Sequence, residues 1–261
     1  MKTFKKFFLF ICLGLGSISF QAQEINLYLI GDSTMSDKKD PDKNPEHGWG
    51  QVLPELLTNK IKVDNHAVNG RSTKSFIDEG RWEAVLEKLQ PGDYVFIQFG
   101  HNDQKFKAPS RFTNPFTGYR NNLEKFVKET LEKGANPVLF SSIVRRNFNE
   151  HGTLVDTHGE YPLVVRLAAD DLEVPFVDLQ RATEELELLY GEEDSKSLHL
   201  HFAPGENKYF PDGKKDDTHL SRKGALLVAT LALKEIARQE LPLANYIKES
   251  VLQKKIPDEN K

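Results

Sequence analysis

The clearest sequence signal of the fold is the stretch of residues 25–35, Ile-Asn-Leu-Tyr-Leu-Ile-Gly-Asp-Ser-Thr-Met. The run from Ile25 to Ile30 is largely apolar and β-favouring and ends at Gly31, which predicts a buried strand followed by a turn. The turn carries the polar residues Asp32 and Ser33. In an open parallel sheet, ligands bind at the carboxyl ends of the strands. The stretch therefore predicts a first strand whose following turn faces a ligand site.

Further along the chain, β-rich runs alternate with amphipathic stretches. The next predicted strands are Ile61–His66, Tyr94–Phe99, Pro137–Ile143 and Phe176–Leu179. The predicted helices are Trp49–Leu57, Arg81–Leu89, Tyr119–Lys133, Pro162–Leu172 and Arg222–Gln239. This alternation is typical of a parallel sheet covered by helices. We predict an α/β fold: a three-layer α/β/α sandwich with about five parallel strands in flavodoxin-like order, forming one domain over residues 23–261.

The first 22 residues have the pattern of a secretory signal peptide. Three lysines precede an apolar run over residues 7–18, which is too short to span a bilayer. A buried N-terminal helix is the alternative interpretation. We place the cleavage after Ala22 and expect an exported protein, periplasmic or extracellular, that is not held by a membrane.

Composition and charge exclude several classes of protein. The 261 residues are 28% charged and 38% apolar, which is typical of a globular chain. The net charge is −4, and loss of the three leader lysines makes it −7, so no overall positive field favours nucleic acid. The only cysteine, Cys12, leaves with the leader. The mature chain therefore has no thiol for a disulfide, a zinc ligand or a nucleophile.

Residues used in ester hydrolysis follow the first three predicted strands and recur near the C-terminus. They are Gly31-Asp32-Ser33-Thr34, Asn69-Gly70-Arg71-Ser72, Gly100-His101-Asn102-Asp103 and Asp216-Asp217-Thr218-His219. Together they supply a hydroxyl, hydrogen-bond donors and a carboxylate beside an imidazole, which are the components of a serine esterase. Taken singly, each has a purely structural explanation as a helix cap or a loop salt bridge.

In this order, the four segments resemble the blocks of the SGNH, or GDSL-like, hydrolase family. Five segments narrow the likeness to its rhamnogalacturonan acetylesterase branch, carbohydrate esterase family 12: residues 31–35, Gly48-Trp49-Gly50, 70–76, 100–103 and 156–162. No Gly-x-Ser-x-Gly elbow is present, which argues against the ordinary α/β-hydrolase fold. The resemblance covers nearly all of the mature chain. It implies the SGNH hydrolase fold, an acetylated pectic polysaccharide or oligosaccharide as substrate, and no metal or organic cofactor.

The resemblance also implies roles for individual residues. Ser33 would be the nucleophile, His219 the general base and Asp216 the carboxylate that orients the imidazole. The adjacent Asp217 is a rival for that last role, but the family pattern Asp-x-x-His favours Asp216. The implied oxyanion hole consists of the backbone N–H groups of Ser33 and Gly70 and the side-chain amide of Asn102.

Basic and aromatic residues near these segments are candidates for substrate contacts. The basic candidates for binding galacturonate carboxylates are Arg71, Lys74, Arg145, Arg146, Lys214 and Lys215. Solvated surface charge is the alternative interpretation. The aromatic candidates for stacking on sugars are Trp49, Phe112, Phe116 and Tyr119, for which a core position is the alternative. Two long stretches predicted to be irregular, Arg145–Tyr161 and Gly191–Leu220, are candidates for the walls of the site.

Three other functions remain open at this point. One is an esterase for acetylated xylan or sugars in general. Another is a metal-dependent phosphoesterase. Residues 100–103, Gly-His-Asn-Asp, resemble the Gly-Asn-His-Asp motif of metallophosphoesterases with the two middle residues exchanged, and residues 156–158 match their Asp-x-His motif. Its further candidate ligands are Asp32, His151, His199 and His201. The order of the two blocks is, however, reversed. The third is a non-catalytic carbohydrate-binding protein, against which the complete set of esterase residues argues.

Overall fold

A parallel sheet of five strands organises residues 25–255, the part of the chain that the computed structural model describes. The strands are β1 (Ile25–Gly31), β2 (Ile61–Asn65), β3 (Tyr94–Gln98), β4 (Asn136–Phe140), β5 (Phe176–Val177), β6 (His199–Phe202) and β7 (Lys214–Leu220). The first five form the parallel sheet in the order β2-β1-β3-β4-β5, and β6 and β7 form a separate antiparallel pair. The predicted flavodoxin-like strand order is confirmed.

Helices cover both faces of the sheet. They are α1 (Leu53–Leu56), α2 (Thr73–Asp78), α3 (Arg81–Leu86), α4 (Arg120–Glu132), α5 (Tyr161–Asp171), α6 (Leu179–Asp194), α7 (Arg222–Arg238) and α8 (Glu249–Leu252). A π-helical turn (Pro115–Tyr119) precedes α4, and 3₁₀ turns lie at Ser195–Leu198 and Pro242–Tyr246. The predicted three-layer α/β/α architecture is confirmed.

Strand β1 connects the two hydrophobic cores. Successive side chains of a strand point to opposite faces, so Leu27 and Leu29 pack into the core that contains α7, while Tyr28 and Ile30 pack into the core that contains α4 and α5. Leu27, Leu29 and Ile30 are fully buried. Burial of each such side chain stabilises the fold by about 1.5–3 kcal/mol. The turn after β1 is therefore attached to a strand that packs into both cores.

The predicted helix Trp49–Leu57 is wrong in length, because only Leu53–Leu56 is helical. The preceding residues form turns that pack against the segment after β1. A Cβ atom on Gly48 would lie 2.2 Å from the carbonyl oxygen of Ser36, so only glycine permits this approach. The indole N–H of Trp49 donates to Gln98 Oε1 at 2.8 Å. Side-chain packing, rather than helical propensity, sets the conformation here.

The stretch Gly191–Leu220, predicted to be irregular, instead contains a 3₁₀ turn and the β6–β7 pair. Strand β7 reads Lys-Lys-Asp-Asp-Thr-His-Leu, which has no apolar alternation to reveal it. Helices α2 and α6 were also not predicted. The stretch from Arg145 to residue 160 is irregular as predicted, with one isolated bridge between Phe148 and Leu154.

The predicted signal peptide, residues 1–22, and its cleavage after Ala22 lie outside the described residues, so export stays a prediction that N-terminal sequencing of the mature protein tests. Within residues 25–255, none of the helices combines the length and the apolar character that crossing a membrane requires.

Candidate active site

A continuous chain of hydrogen bonds joins Ser33, His219 and Asp216. The Ser33 hydroxyl lies 2.9 Å from Nε2 of His219, although the two residues are 186 positions apart in the sequence. The other ring nitrogen, Nδ1, lies 2.9 Å from Oδ2 of Asp216. The turn after β1 supplies the hydroxyl, and β7 supplies the imidazole and the carboxylate. The arrangement places a base within bonding reach of a hydroxyl and a carboxylate behind that base.

Asp216 is held in its ionised form. Its Oδ1 accepts the backbone N–H groups of Thr218 and His219, each at 3.0 Å. Burial raises the pKa of Asp216, but the hydrogen bonds from the His219 side chain and from these N–H groups outweigh burial and hold the pKa below its usual range. An ionised carboxylate fixes the Nδ1–H tautomer of the imidazole, which leaves Nε2 free to accept the proton of Ser33.

The neighbouring carboxylate, Asp217, has different partners. Its Oδ1 accepts from Nη1 of Arg146 and from Nε2 of His201, each at 2.8 Å. Because successive side chains of a strand point to opposite sides, Asp217 cannot share the orientation of Asp216. Arg146 is buried, and its guanidinium also donates to Ser195 Oγ and to the carbonyl of Glu192. Three of the five guanidinium N–H donors are thus used within the protein, and a contact between Arg146 and substrate stays a prediction.

Backbone and side-chain hydrogen bonds bring the turn after β2 next to Ser33. The N–H of Val68 donates to the last carbonyl of β1 at 3.0 Å, which continues the pairing beyond the end of β2. The buried amine of Lys38 then donates to the Ser33 carbonyl at 2.5 Å and to Asn69 Oδ1 at 2.8 Å. Gly70 follows with φ at +77°, a left-handed conformation that favours glycine. No turn or loop hydrogen bond within residues 25–255 uses the backbone N–H of Ser33 or of Gly70.

Asn102, in the turn after β3, is buried with its amide group fixed in orientation. Its Nδ2 donates to the carbonyl of Arg71 at 3.1 Å, and its Oδ1 accepts from the amine of Lys105 at 2.9 Å. An amide nitrogen carries two hydrogens, so one remains for another acceptor. Because β1 lies between β2 and β3, the turns that carry Ser33, Gly70 and Asn102 are neighbours at one edge of the sheet.

A buried carboxylate, Asp32, stabilises the turn around Ser33. Asp32 accepts hydrogen bonds from the backbone N–H of Thr34 at 2.9 Å, from the Thr34 hydroxyl at 2.8 Å, and from Nδ1 of His101 at 3.2 Å. Burial raises the pKa of Asp32, but these partners outweigh burial and lower it. Burial also lowers the pKa of His101, so a neutral imidazole donates to an ionised carboxylate.

Asp103 fastens the turn after β3 to α2 and to the loop that follows. It accepts from the N–H of Thr73 at 3.1 Å, from the Thr73 hydroxyl at 2.5 Å and from the Thr113 hydroxyl at 2.9 Å. Burial raises its pKa to about 7, more than these hydrogen bonds lower it. The group therefore stays protonated over a pH range in which an unfolded chain would be ionised at this position.

Asp103→Asn is expected to reduce the pH dependence of stability. The pKa is raised on folding, so the native state retains a proton that the unfolded chain loses between about pH 4 and 7. The free energy of unfolding of the wild type should fall over this window by on the order of 2–4 kcal/mol. Urea unfolding at several pH values in this range measures the free energy of unfolding, and Asp170→Asn, at an exposed position, is the matched control. If the free energy of unfolding depends on pH equally in the wild type and in Asp103→Asn, the pKa of Asp103 is not raised by folding.

The remaining basic candidates differ in how far they are already paired. Arg71 forms an ion pair with Glu79 at 3.0 Å, and Lys74 forms one with Asp78. Arg145 is half-buried and donates to the hydroxyl of Thr157 at 2.9 Å. Lys214 lies 3.4 Å from Asp216 Oδ2, and Lys215 is exposed. Trp49 and Tyr119 are fully buried core residues, whereas Phe112 and Phe116 are exposed.

Two functional candidates, Lys105 and Arg111, were missed from the sequence. Neither residue directly follows a predicted strand, so a search limited to the ends of strands does not select them. A signal was present nonetheless: residues 104–123 include several basic residues and no Asp or Glu. Arg111 lies over Gly70, with its guanidinium atoms 3.6 Å from where a Cβ on that glycine would be.

The ligand set that a metal-dependent phosphoesterase needs is not assembled in the described part of the chain, which has no group of three or more His, Cys, Asp or Glu side chains able to hold a metal ion. His199 pairs with Glu187 at 2.6 Å, and His201 pairs with Asp217. His151 is exposed on its loop. The histidines grouped by that hypothesis thus have separate structural surroundings.

The chain is similar to known esterases in both sequence and structure. The model of the family described as GDSL-like Lipase/Acylhydrolase matches residues 29–227. Rhamnogalacturonan acetylesterase RhgT of Bacillus subtilis is 44% identical over 223 residues, which are 85% of this chain and 94% of that protein. The probable rhamnogalacturonan acetylesterase YesY of the same organism is 34% identical, covering 85% of this chain and 97% of its own. The crystal structure of YxiM from Bacillus subtilis superposes with a TM-score of 0.72 at 25% identity, over 84% of this chain and 58% of that one.

Proposed function

The chain belongs to the GDSL-like lipase/acylhydrolase family, and from this membership we propose that it is a serine esterase that removes acetyl groups from rhamnogalacturonan. The observation that carries the proposal is the hydrogen-bonded chain from Ser33 through His219 to Asp216. The substrate follows from 44% identity to a protein named rhamnogalacturonan acetylesterase, along nearly the whole of that protein.

In the first step, the Ser33 hydroxyl attacks the carbonyl carbon of the acetyl ester. A serine hydroxyl is a weak nucleophile at neutral pH and needs a base to accept its proton during the attack. Nε2 of His219, at 2.9 Å, accepts it. The imidazolium that forms is stabilised by ionised Asp216, which is hydrogen-bonded to Nδ1.

Negative charge develops on the carbonyl oxygen as the tetrahedral intermediate forms. The backbone N–H groups of Ser33 and Gly70 and the second amide hydrogen of Asn102 donate to this oxygen. Fixed donors stabilise the developing charge more than the ground state, and each contributes about 3–4 kcal/mol, or roughly 10²–10³ in rate. The absence of a side chain on Gly70 lets the backbone approach the substrate closely.

The intermediate then collapses and releases the sugar hydroxyl, which takes its proton from His219. An acetyl group remains on the oxygen of Ser33. Water, deprotonated by the same imidazole, attacks this ester through a second tetrahedral intermediate, and acetate leaves as Ser33 recovers its proton. Each proton moved in this sequence passes through the single ring nitrogen Nε2.

The proposal is tested by measuring acetate release from acetylated rhamnogalacturonan and acetylated xylan at equal acetyl concentrations. We expect kcat/KM to be at least about tenfold higher for rhamnogalacturonan, a difference of about 1.4 kcal/mol in transition-state binding. Ser33→Ala controls for acetate released without the enzyme. Equal rates, or a faster reaction with xylan, would favour the general sugar esterase instead. Absence of acetate release from both substrates would contradict the esterase proposal.

A further inference from the structure

The positively charged guanidinium of Arg111 lies beside the proposed oxyanion hole. Its guanidinium atoms lie 3.6 Å from the position that a Cβ on Gly70 would occupy. Across residues 25–255, this guanidinium makes no side-chain hydrogen bond and no ion pair with a carboxylate. The guanidinium group is planar, always charged and carries five donors, so several donors remain available to a ligand.

Nearby cations increase the positive charge around Arg111. The amine of Lys105 donates to Asn102 Oδ1 at 2.9 Å and has no carboxylate within ion-pair distance in the described part of the chain. Burial lowers the pKa of Lys105, and the positive charges of Arg111 and Arg145 lower it further. The carboxylate that opposes these effects is Asp32, which is buried and already occupied by Thr34 and His101.

Three other basic residues near the site are neutralised by carboxylates of the protein, whereas Arg145 donates to the Thr157 hydroxyl and the His101 carbonyl. Arg71 is paired with Glu79, Lys74 with Asp78, and Arg146 with Asp217. On a chain with a net charge of −4, acidic residues are abundant, yet none accompanies Arg111 or Lys105 within residues 25–255. Like charges held together cost free energy unless an anion joins them. The unpaired charge therefore favours a negatively charged ligand at this position.

We propose that Arg111, with Lys105 beside it, binds the carboxylate of a galacturonate residue next to the acetyl ester that Ser33 attacks. The inference rests on the proposed function and deepens it, since it assigns the residues that recognise the acidic sugar. The planar fork of an arginine matches a carboxylate in a bidentate manner. Lys105 adds charge while its bond to Asn102 keeps the oxyanion donor in place. Arg111 is thus a specificity-determining residue rather than a catalytic one.

Arg111→Gln is expected to act on the acidic substrate selectively. For acetylated rhamnogalacturonan oligosaccharide, kcat/KM should fall at least about tenfold, mainly through KM, because a charged hydrogen bond to the substrate is lost. For p-nitrophenyl acetate, which has no carboxylate, the loss should be at least about fivefold smaller. Arg111→Lys should recover part of the lost activity. Arg238→Gln is the matched control, because it removes an equal charge at the C-terminal end of α7, about 25 Å along the helix from Arg222. This variant should leave the rates of both reactions unchanged.

A binding measurement separates this inference from the proposed function. Calorimetry with the Ser33→Ala protein compares deacetylated rhamnogalacturonan oligosaccharide with the same oligosaccharide after methyl esterification of its carboxylates. We expect the Ser33→Ala protein to bind the free acid at least about tenfold more tightly than the methyl ester. Adding Arg111→Gln to Ser33→Ala should abolish that difference in affinity. Persistence of the difference in Arg111→Gln, or an equal loss with acidic and neutral substrates, would overturn the role of Arg111. A wild-type protein that releases no acetate would overturn the proposed function, while the calorimetric comparison would still decide the role of Arg111.

Discussion

Ser33→Ala is expected to lower kcat for acetate release by about 10⁴-fold or more, because the reaction loses the atom that becomes acylated. His219→Ala should cause a loss of similar size, since the hydroxyl then has no base within 2.9 Å. The two residues act as one unit, so the double variant should be little worse than either single one. Initial rates of acetate release from acetylated rhamnogalacturonan measure all three losses.

The fold should survive the removal of the Ser33 hydroxyl, because the partner of this hydroxyl within residues 25–255 is the His219 side chain. Urea unfolding should therefore place Ser33→Ala within about 1 kcal/mol of the wild type. Ser197→Ala removes an exposed hydroxyl from a 3₁₀ turn and serves as the matched control, with activity unchanged. A Ser33→Ala protein that is folded and keeps a tenth of the wild-type rate would be incompatible with a serine nucleophile.

Asp216→Asn is expected to lower kcat by about 10³–10⁴-fold, because an amide stabilises the imidazolium less and permits the wrong tautomer of His219. Asp217→Asn should cost less than about tenfold. Its carboxylate contacts Arg146 and His201 and affects the proposed reaction only through the fold around β7. Parallel measurements of kcat on both variants, together with their unfolding free energies, distinguish the two carboxylates. The opposite ranking would assign the orienting role to Asp217.

The residues at strand ends could be predicted from the sequence for a physical reason. Parallel strands present their carboxyl ends at one edge, so a polar turn after each predicted strand identifies neighbours without coordinates. The turns that carry Ser33, Gly70 and Asn102 do follow neighbouring strands of the sheet, whereas His219 lies on β7, outside that sheet, and was indicated by the family resemblance. The parallel sheet was equally accessible, because continuous apolar runs such as residues 94–99 indicate strands buried on both faces.

Other features depend on contacts that no local pattern encodes. Strand β7 consists mainly of polar residues and is defined by pairing with β6, so periodicity could not reveal it. The turn at Gly48 follows from its close approach to Ser36. Likewise, the sequence alone does not distinguish Arg146 from Arg111. Arg146 is buried against Asp217, whereas Arg111 lies over Gly70 and forms no ion pair with any carboxylate of residues 25–255. Charge compensation is a property of tertiary structure, which is why the basic candidates could not be ranked beforehand.

Covalent labelling with a fluorophosphonate, followed by peptide mass mapping, tests directly whether Ser33 is the nucleophile activated by His219. The serine oxygen displaces fluoride and forms a stable phosphonyl ester, so the adduct identifies the attacking atom. We predict a single adduct on Ser33, loss of activity in proportion to labelling, and greatly slowed labelling in His219→Ala. An active protein that resists labelling, or an adduct on a residue other than Ser33, would show that Ser33 is not the nucleophile.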